Sequence, residues 1–305
     1  MIKIILIFTF SAITFISFSQ IQVLTGIENR TYFKIANEMN NYLPKLLVEE
    51  DSLKIEKDFL DIKATQGSNL NFDLIINEKH PAKAAIVQLD LLLLKKTDDL
   101  INNTNFTEDI LVLMPLILVD VHLVTKKGSS IHNIKSLEDK TVGIGEATEG
   151  TYSTAMYIQN TSEVAWINKN ISSQDALKAL LLDRIDAFFM VAGAPVQMLA
   201  AIPVNSPLKL KFAEVENING WADYYTPLTL TSTDYPFLEA NVRTFSVPSV
   251  VIVNKKKLSE KDIVLLKEWR ANTIQNIDNL KGYGHQSWQT ANPSLWDSDI
   301  WPVLE

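Results

Sequence analysis

The chain of 305 residues has no cysteine, so it can form no disulfide and has no thiolate for catalysis or metal binding. Glycine is scarce, with ten residues in the whole sequence. Histidine is scarcer still, and the four histidines show none of the spacings that are typical of a metal site. We interpret them as structural or exposed residues: His80, His122, His132 and His285.

Motifs for nucleotide binding and hydrolysis are also missing. The loop that contains Gly143 and Gly145 has Thr148 where a dinucleotide fingerprint has its third glycine. Neither a Gly-Lys-Ser/Thr phosphate loop nor a Gly-x-Ser-x-Gly nucleophile elbow occurs. An enzyme of another kind stays open as an alternative, but no residue pattern favours one. We therefore predict a protein without catalytic activity and without a cofactor.

Residues 1–19 have the composition of an export signal. Lys3 precedes an apolar run, and Ser17-Phe-Ser19 resembles a small-x-small cleavage site. Thr9 and Thr14 interrupt the run, which makes a membrane anchor the weaker alternative. We expect export to the periplasm and a mature chain that begins near Gln20.

The mature chain is acidic. Loss of Lys3 leaves 27 basic against 36 acidic side chains, a net charge of −9. Such a protein is a poor partner for nucleic acids and for anionic lipids. We therefore expect no nucleic-acid partner.

Short apolar runs alternate with helical periods along the mature chain, which predicts an α/β fold with largely parallel sheets. The predicted strands are 21–24, 55–64, 84–88, 141–144, 164–167 and 187–191. The predicted helices are 32–43, 69–77, 151–159, 172–182 and 259–278. Ser259 and Asp262 resemble a capping pair at the start of the last helix.

Two long extended segments stand apart from this alternation. They are residues 111–125, which contain Pro115, and residues 244–253, which contain Pro248. The first is too irregular for one helix and long enough for two extended pieces. Together they predict a chain that crosses twice between two lobes, with a ligand cleft between the lobes.

Residues 131–155 contain a strand, a tight loop and the beginning of a helix at Thr151. The free N–H groups and the positive dipole at such a helix start favour a small anion or carboxylate. The alternative is an ordinary βα turn in which Gly145 and Gly150 only supply permissive backbone angles. The stretch by itself leaves both readings open.

Three stretches together resemble a known family. They are TQGSNLNFDLIINEKHPAKAAIVQLD, VGIGEATEGTYSTA and DALKALLLDRIDAFFMVAGAP, and they occur in the family's order within residues 23–280. The chain resembles the TAXI-type solute-binding subunits of TRAP transporters. This implies a two-lobed type II periplasmic-binding-protein fold with two crossover hinge strands. It also implies a glutamate-like carboxylate as the solute, a TRAP-type membrane permease as partner, and no nucleotide cofactor, since transport runs on ion gradients.

The resemblance also implies how the chain is divided. We expect lobe I to comprise residues 20–118 and 250–305, and lobe II residues 119–249. The resemblance fades in the C-terminal tail, which carries Trp288, Trp296 and Trp301. Tryptophans at this spacing predict a tail that packs back onto lobe I, with a docking surface as the alternative.

Site residues follow from the resemblance one at a time. In the first family loop Thr25, Gly26 and Tyr32 match, whereas residues 27–30 replace glycines and introduce Arg30. The remaining implied ligand-binding residues are Gly67, Ser68 and Asn71 in the second loop, Gln88 and Asp90 at a strand end, Glu149, Gly150 and Thr151 in the third loop, Gly193 and Pro195 in a turn, and Tyr225. Phe188 and Phe189 fall in a matching run, but we expect both in the core.

Three departures from the family bear on the solute. Arg30, Glu28 and Glu149 introduce charge into loops that should face the cleft. If all three line the pocket, a ligand with an amine becomes plausible. If they pair with each other, the pocket is only smaller. We favour an amino acid or a small carboxylate, and a solute sensor or a ligand-binding enzyme on the same scaffold remains the alternative.

Overall fold

The computed structural model of the chain describes residues 20–28, 30–50, 53–203 and 209–305. The predicted export signal, residues 1–19, lies outside these ranges and stays a prediction. Within the described residues, no helix combines the length and the apolar character that a membrane crossing requires.

The strands and helices alternate in the first part of the chain as far as one long strand. Their bounds are β1 (Ile21–Leu24), α1 (Thr31–Asn40), β2 (Leu46–Glu50), β3 (Leu53–Lys57), β4 (Leu60–Lys63), α2 (Ser68–Ile76), β5 (Ala84–Gln88), α3 (Leu89–Asn102) and β6 (Ile110–Lys126). The same alternation continues beyond it with β7 (Thr141–Gly143), α4 (Gly150–Ser162), β8 (Ile167–Lys169), α5 (Ser173–Leu181), β9 (Ala187–Ala192), α6 (Gln197–Ala200), β10 (Leu210–Ala213), β11 (Thr226–Leu230), β12 (Val242–Asn254), α7 (Glu260–Gln275) and α8 (Ile277–Tyr283).

One continuous sheet joins both parts, in the order β4-β1-β5-β12-β6-β9-β7-β8, with β10 beside β6 and β11 beside β12. The strand pairs toward the two ends of the sheet are parallel, as βαβ units require: β4–β1, β1–β5, β9–β7 and β7–β8. The pairs β12–β5, β12–β6 and β6–β9 are antiparallel. The prediction of largely parallel sheets is therefore corrected to a mixed sheet, because the two long strands run against their neighbours at its centre.

The two predicted extended segments are the long strands β6 and β12. Residues 111–125 form one 17-residue strand together with their flanks, and not two pieces. β12 pairs with β5 through Ser249–Val253 and with β11 through Val242–Ser246, so it passes from one half of the sheet to the other. The ladder between β6 and β12 shifts register between Pro248 and Val250, since proline has no N–H for the ladder. This arrangement is the two-lobed type II periplasmic-binding-protein fold.

Several packing predictions are confirmed. Phe188 and Phe189 are buried in the core. In the C-terminal tail Trp288 is fully buried, and its Nε1 donates to Glu38 Oε2 at 2.6 Å. Trp301 is also buried, and its Nε1 donates to the Ile110 carbonyl at 2.9 Å. The tail therefore packs onto α1 and the beginning of β6.

Several element boundaries differ from the predictions, and the predicted strand 55–64 is divided into β3 and β4. The predicted helix 259–278 has its capping box of Ser259 and Asp262, but it is divided into α7 and α8 at Asn276. The Asn276 side chain donates to the Asn272 carbonyl at 2.9 Å and competes with the helical pattern. The predicted strand 164–167 lies later, at Ile167–Lys169, because residues 164–166 lie outside the ladder with β7.

Candidate functional site

Four helices begin close together, near the carboxyl ends of sheet strands. Open α/β sheets bind ligands at this edge. No side chain of the N-cap residue closes the first turn of α1, α2, α3 or α4, whereas Ser172 and Ser259 cap α5 and α7. The N-caps of the four are Arg30, Gly67, Gln88 and Glu149. Their first-turn N–H groups and positive dipole ends therefore suit an anion.

The second and third predicted loops touch across the sheet. Leu70 N donates to the Thr148 carbonyl at 3.3 Å. Asn69 Nδ2 donates to the Ala147 carbonyl at 2.7 Å. The N-terminus of α2 thus lies against the N-terminus of α4.

Two glycines make this close approach possible. At Gly67 φ is +146°, and an added Cβ would lie 3.1 Å from Glu149 Cα. At Gly150 an added Cβ would lie 1.6 Å from Gln88 Oε1, which is inside the van der Waals radius. A side chain at Gly67 would press on the backbone of the third loop, and one at Gly150 would displace the amide group of Gln88.

Asp90 lies at the centre of the contact, in the first turn of α3, and is 1% exposed. Its Oδ2 accepts hydrogen bonds from Thr154 Oγ1 at 2.5 Å and from Tyr225 OH at 2.6 Å, and its Oδ1 accepts from Leu91 N at 2.8 Å. Burial raises the pKa of Asp90 to about 6, against the opposite effect of these hydrogen bonds. Among the described residues, no lysine, arginine or histidine forms an ion pair with Asp90.

Three tyrosines surround this carboxyl group. Burial and the charge of Asp90 raise the pKa of Tyr157 to about 12, and they also raise the pKa values of Tyr32 and Tyr225. The rings of Tyr157 and Tyr225 stack with their centroids 6.2 Å apart. All three are therefore neutral at physiological pH. We call Asp90, Thr154, Tyr32, Tyr157 and Tyr225 the Asp90 cluster.

Several buried polar atoms beside the Asp90 cluster lack a hydrogen-bond partner within the described part of the chain. Ser249 lies near the Tyr32 hydroxyl, but its Oγ donates to the Ile117 carbonyl at 2.8 Å, accepts from Ile117 N at 3.3 Å and makes no hydrogen bond with Tyr32 OH. Buried polar atoms are normally paired, so these atoms indicate a group supplied from outside. They are Tyr32 OH, Ser68 Oγ, Gln88 Oε1 and Thr148 Oγ1.

Arg30 and Glu149 lie at the rim. Arg30 is exposed and Glu149 is half-buried. Burial raises the pKa of Glu149, and the charge of Arg30 acts in the opposite direction. The two loops are therefore electrostatically coupled, while Glu28 is exposed. That Arg30 and Glu149 line the solute pocket stays a prediction.

Other predicted residues position the loops. Thr25 Oγ1 donates to the Lys63 carbonyl at 2.9 Å, and Asn71 Nδ2 donates to the Thr25 carbonyl at 2.5 Å. Thr151 Oγ1 accepts from Val191 N at 3.1 Å. Gly26 lies against Tyr32, with its added Cβ 3.6 Å from the Tyr32 Cβ. These contacts hold the first loop against α2 and α4 against β9.

Gly193 and Pro195 belong to the turn that follows β9. An added Cβ at Gly193 would lie 2.6 Å from Ser287 Oγ, and the exposed Pro195 follows a cis peptide bond. No hydrogen bond described for the chain joins this turn to the Asp90 cluster. Their part in solute binding stays a prediction.

Sequence reasoning missed two members of the Asp90 cluster. Thr154 and Tyr157 follow Thr151 at intervals of three residues on α4, which puts all three near one helix face. That spacing was the available signal. Within the described ranges, no cluster of histidine and acidic side chains could hold a metal ion.

Solved structures were compared with this fold. It is similar to XAC2383 from Xanthomonas citri bound to ATP, with a TM-score of 0.53 and 10% identity over 92% of this chain and 93% of that chain. A substrate-binding protein of an amino acid ABC transporter has a TM-score of 0.46 and 13% identity over 88% of this chain and 100% of that chain. The ligand-binding component of an ABC-type import system from Staphylococcus aureus with zinc bound has a TM-score of 0.45 and 12% identity over 90% of this chain and 85% of that chain. At these identities the likeness concerns the fold alone.

Sequence comparisons give the family. No curated protein matches the chain significantly. The model of the NMT1-like family matches residues 23–283, which include the Asp90 cluster and both crossover strands. The chain therefore belongs to the NMT1-like family.

Proposed function

We propose that this protein is a periplasmic solute-binding protein that captures an amino acid or a small carboxylate, such as glutamate, between two lobes. Lobe I would comprise residues 20–118 and 250–305, and lobe II residues 119–249. The captured solute would pass to a TRAP-type membrane permease driven by an ion gradient. The permease assignment rests on the TAXI-like motifs of the sequence.

One observation carries the choice of solute. The uncapped N-termini of α1, α2 and α4 meet beside the buried, unpartnered oxygens of Tyr32 and Ser68. Helix N–H groups and hydroxyls are donors, and a carboxylate accepts several hydrogen bonds at once. Glu149 lies within the same region and could accept from an amine. A small zwitterion satisfies both sets of groups.

Binding of such a solute should close the lobes and stabilise the fold. We would measure melting temperature and small-angle scattering with glutamate, other amino acids, dicarboxylates and oxo acids. We expect a raised melting temperature and a smaller radius of gyration with at least one of them. Two kinds of compound serve as negative controls. They are a neutral sugar and, for each amino acid that gives a response, the amide of that amino acid. No response to any member would exclude the proposed solute class.

Variants test whether the unpartnered hydroxyls bind the solute. Tyr32→Phe and Ser68→Ala should each weaken affinity by about 0.5–1.5 kcal/mol, the usual net value of one hydrogen bond. Tyr283→Phe is the matched control, because Tyr283 is 88% exposed. Equal affinities for Tyr32→Phe, Ser68→Ala and the control would place the solute elsewhere.

A further inference from the structure

The hydrogen bonds of Asp90 cross between the proposed lobes. Asp90 belongs to α3 in lobe I, whereas Thr154 on α4 and Tyr225 before β11 belong to lobe II. We infer that Asp90 is a proton-binding site linked to lobe closure, so that the lobes take up a proton when they close on this carboxyl group. The inference rests on the proposed two-lobe closure, but not on the identity of the solute.

We call the two hydrogen bonds from Thr154 and Tyr225 to Asp90 the latch. Both hydroxyl donors meet the same oxygen, Asp90 Oδ2, at 2.5 and 2.6 Å. They approach from two separate parts of the chain, so opening of the lobes would break both bonds together. Water would then solvate the Asp90 carboxyl group, and its pKa would return toward its ordinary value.

The closed latch disfavours a charged carboxylate. Asp90 is 1% exposed, and its partners from lobe II are neutral hydroxyls. A buried charge without a cation is costly, and protonation removes that cost. The hydrogen bond from Leu91 N at the start of α3 favours the charged form, but the effect of burial is larger.

The groups that face Asp90 do not titrate between pH 5 and 8. Tyr32 faces it from α1, Tyr157 from α4, and Tyr225 from the segment before β11, and the pKa of each tyrosine is raised. The charge of Asp223 acts on Tyr157 from the outside of the cluster. The rim carboxyl group of Glu149, whose pKa is also raised by burial, is the competing source of a pH effect, with the Arg30 charge beside it.

The direction of the pH effect follows from linkage. Asp90 has a pKa of about 6 in the closed form, against an ordinary value of 3.8. At a pH between these two pKa values, the closed form therefore binds more protons than the open form. The ratio of closed to open molecules should rise about tenfold from pH 7.5 to pH 5, continue to rise through pH 4, and level off only below about pH 3.

The absence of cysteine provides a direct measurement. Leu100→Cys near the end of α3 and Leu182→Cys after α5 change two exposed residues, one in each proposed lobe. Spin labels at these positions would report the distance between lobes by pulsed electron paramagnetic resonance, in the mature chain without any solute. We expect the short-distance population to grow as the pH falls from 7.5 to 5.

Three further variants in the labelled chain assign the effect. Asp90→Asn keeps the shape without a titrating group, so its distribution should not depend on pH. Glu149→Gln should keep the response of the unsubstituted chain, which excludes the rim carboxyl group. Tyr225→Phe removes a hydrogen bond that favours charged Asp90, so it should make the pH response steeper.

Two outcomes overturn the inference. One is a response that persists in Asp90→Asn. The other is a flat distribution in both the unsubstituted chain and Tyr225→Phe, because that variant weakens the latch enough to reveal an open form. Failure of every solute in the panel would count against the proposed solute class and leave this measurement unaffected.

Discussion

At the scale of single residues, Asp90 shows where reasoning from sequence stops. The motif placed Asp90 at a strand end among the ligand-binding candidates, and the structure puts it in the first turn of α3. Its partners Thr154 and Tyr225 are 64 and 135 residues away in sequence. Burial and pKa depend on such distant contacts, and no local pattern contains them. The loops of the candidate site and Asp90 itself were predictable, but the burial of Asp90 and its partners were not.

Arg30 and Glu149 provide the prediction at this scale. We expect Arg30→Ala to weaken solute affinity by less than about 1 kcal/mol, because Arg30 is exposed and surface pairs are worth little. Glu149→Ala should weaken it more, by about 1.5–3 kcal/mol, if the half-buried carboxylate binds a ligand amine. Isothermal titration with the best panel solute measures both changes.

The control for this pair is a second glutamate at the same rim. Glu28→Ala removes an exposed charge of the first loop and should leave affinity unchanged. A tighter affinity for Glu149→Ala would mean that Glu149 competes with the solute for Arg30. Unchanged affinity in all three variants would remove these residues from the site.

At the scale of elements, periodicity predicted strands and helices well where each is locally determined. β1 and β5 have the predicted bounds, and α2, α4 and α5 begin and end within a few residues of theirs. The helix α3 was missed because it begins directly after Gln88, at the end of a strand that is buried along its whole length. Apolar Leu89, Leu91 and Leu92 follow closely on the apolar residues of β5, with only Gln88 and Asp90 between them, so the pattern gives no clear boundary.

The C-terminal tail gives a prediction about element packing. The carboxylate of Glu38 accepts hydrogen bonds from His285 N and from Trp288 Nε1, and so fixes the tail to α1. Glu38→Ala leaves two donors without a partner and should lower the free energy of unfolding by about 2–3 kcal/mol. Urea denaturation measures the difference.

Glu56→Ala is the matched control for the tail. Glu56 is an exposed glutamate on β3, so its removal should change stability by less than about 0.5 kcal/mol. If Glu38→Ala were as stable as this control, the tail would be held by burial of Trp288 and Trp301 alone.

At the scale of the whole molecule, the two crossover segments and the family resemblance were enough to predict a two-lobed fold. They could not predict which groups join the two halves. That contact depends on the loops around Gly67 and Gly150, which lie far apart in sequence and meet only in three dimensions. The same loops begin helices α2 and α4, so the proposed closure and the proposed solute binding would use one set of groups.

Substitution of Gly150 should affect the closed form of the molecule and not the open form. In Gly150→Ala the new methyl group would overlap Gln88 Oε1, which would lie 1.6 Å away, and Gln88 is 2% exposed, with little room to move. Overpacking of this kind costs about 1–3 kcal/mol, and here the cost falls only on the closed form. Spin labels at Leu100→Cys and Leu182→Cys should therefore show a larger open population.

Gly282→Ala is the matched control, because an added Cβ there meets no atom within 4 Å among the described residues. Adding Gln88→Ala to Gly150→Ala should restore closure by removing the overlap. An open population that is unchanged in Gly150→Ala, or that the second substitution fails to reduce, would mean that the contact between Gln88 and Gly150 does not limit closure.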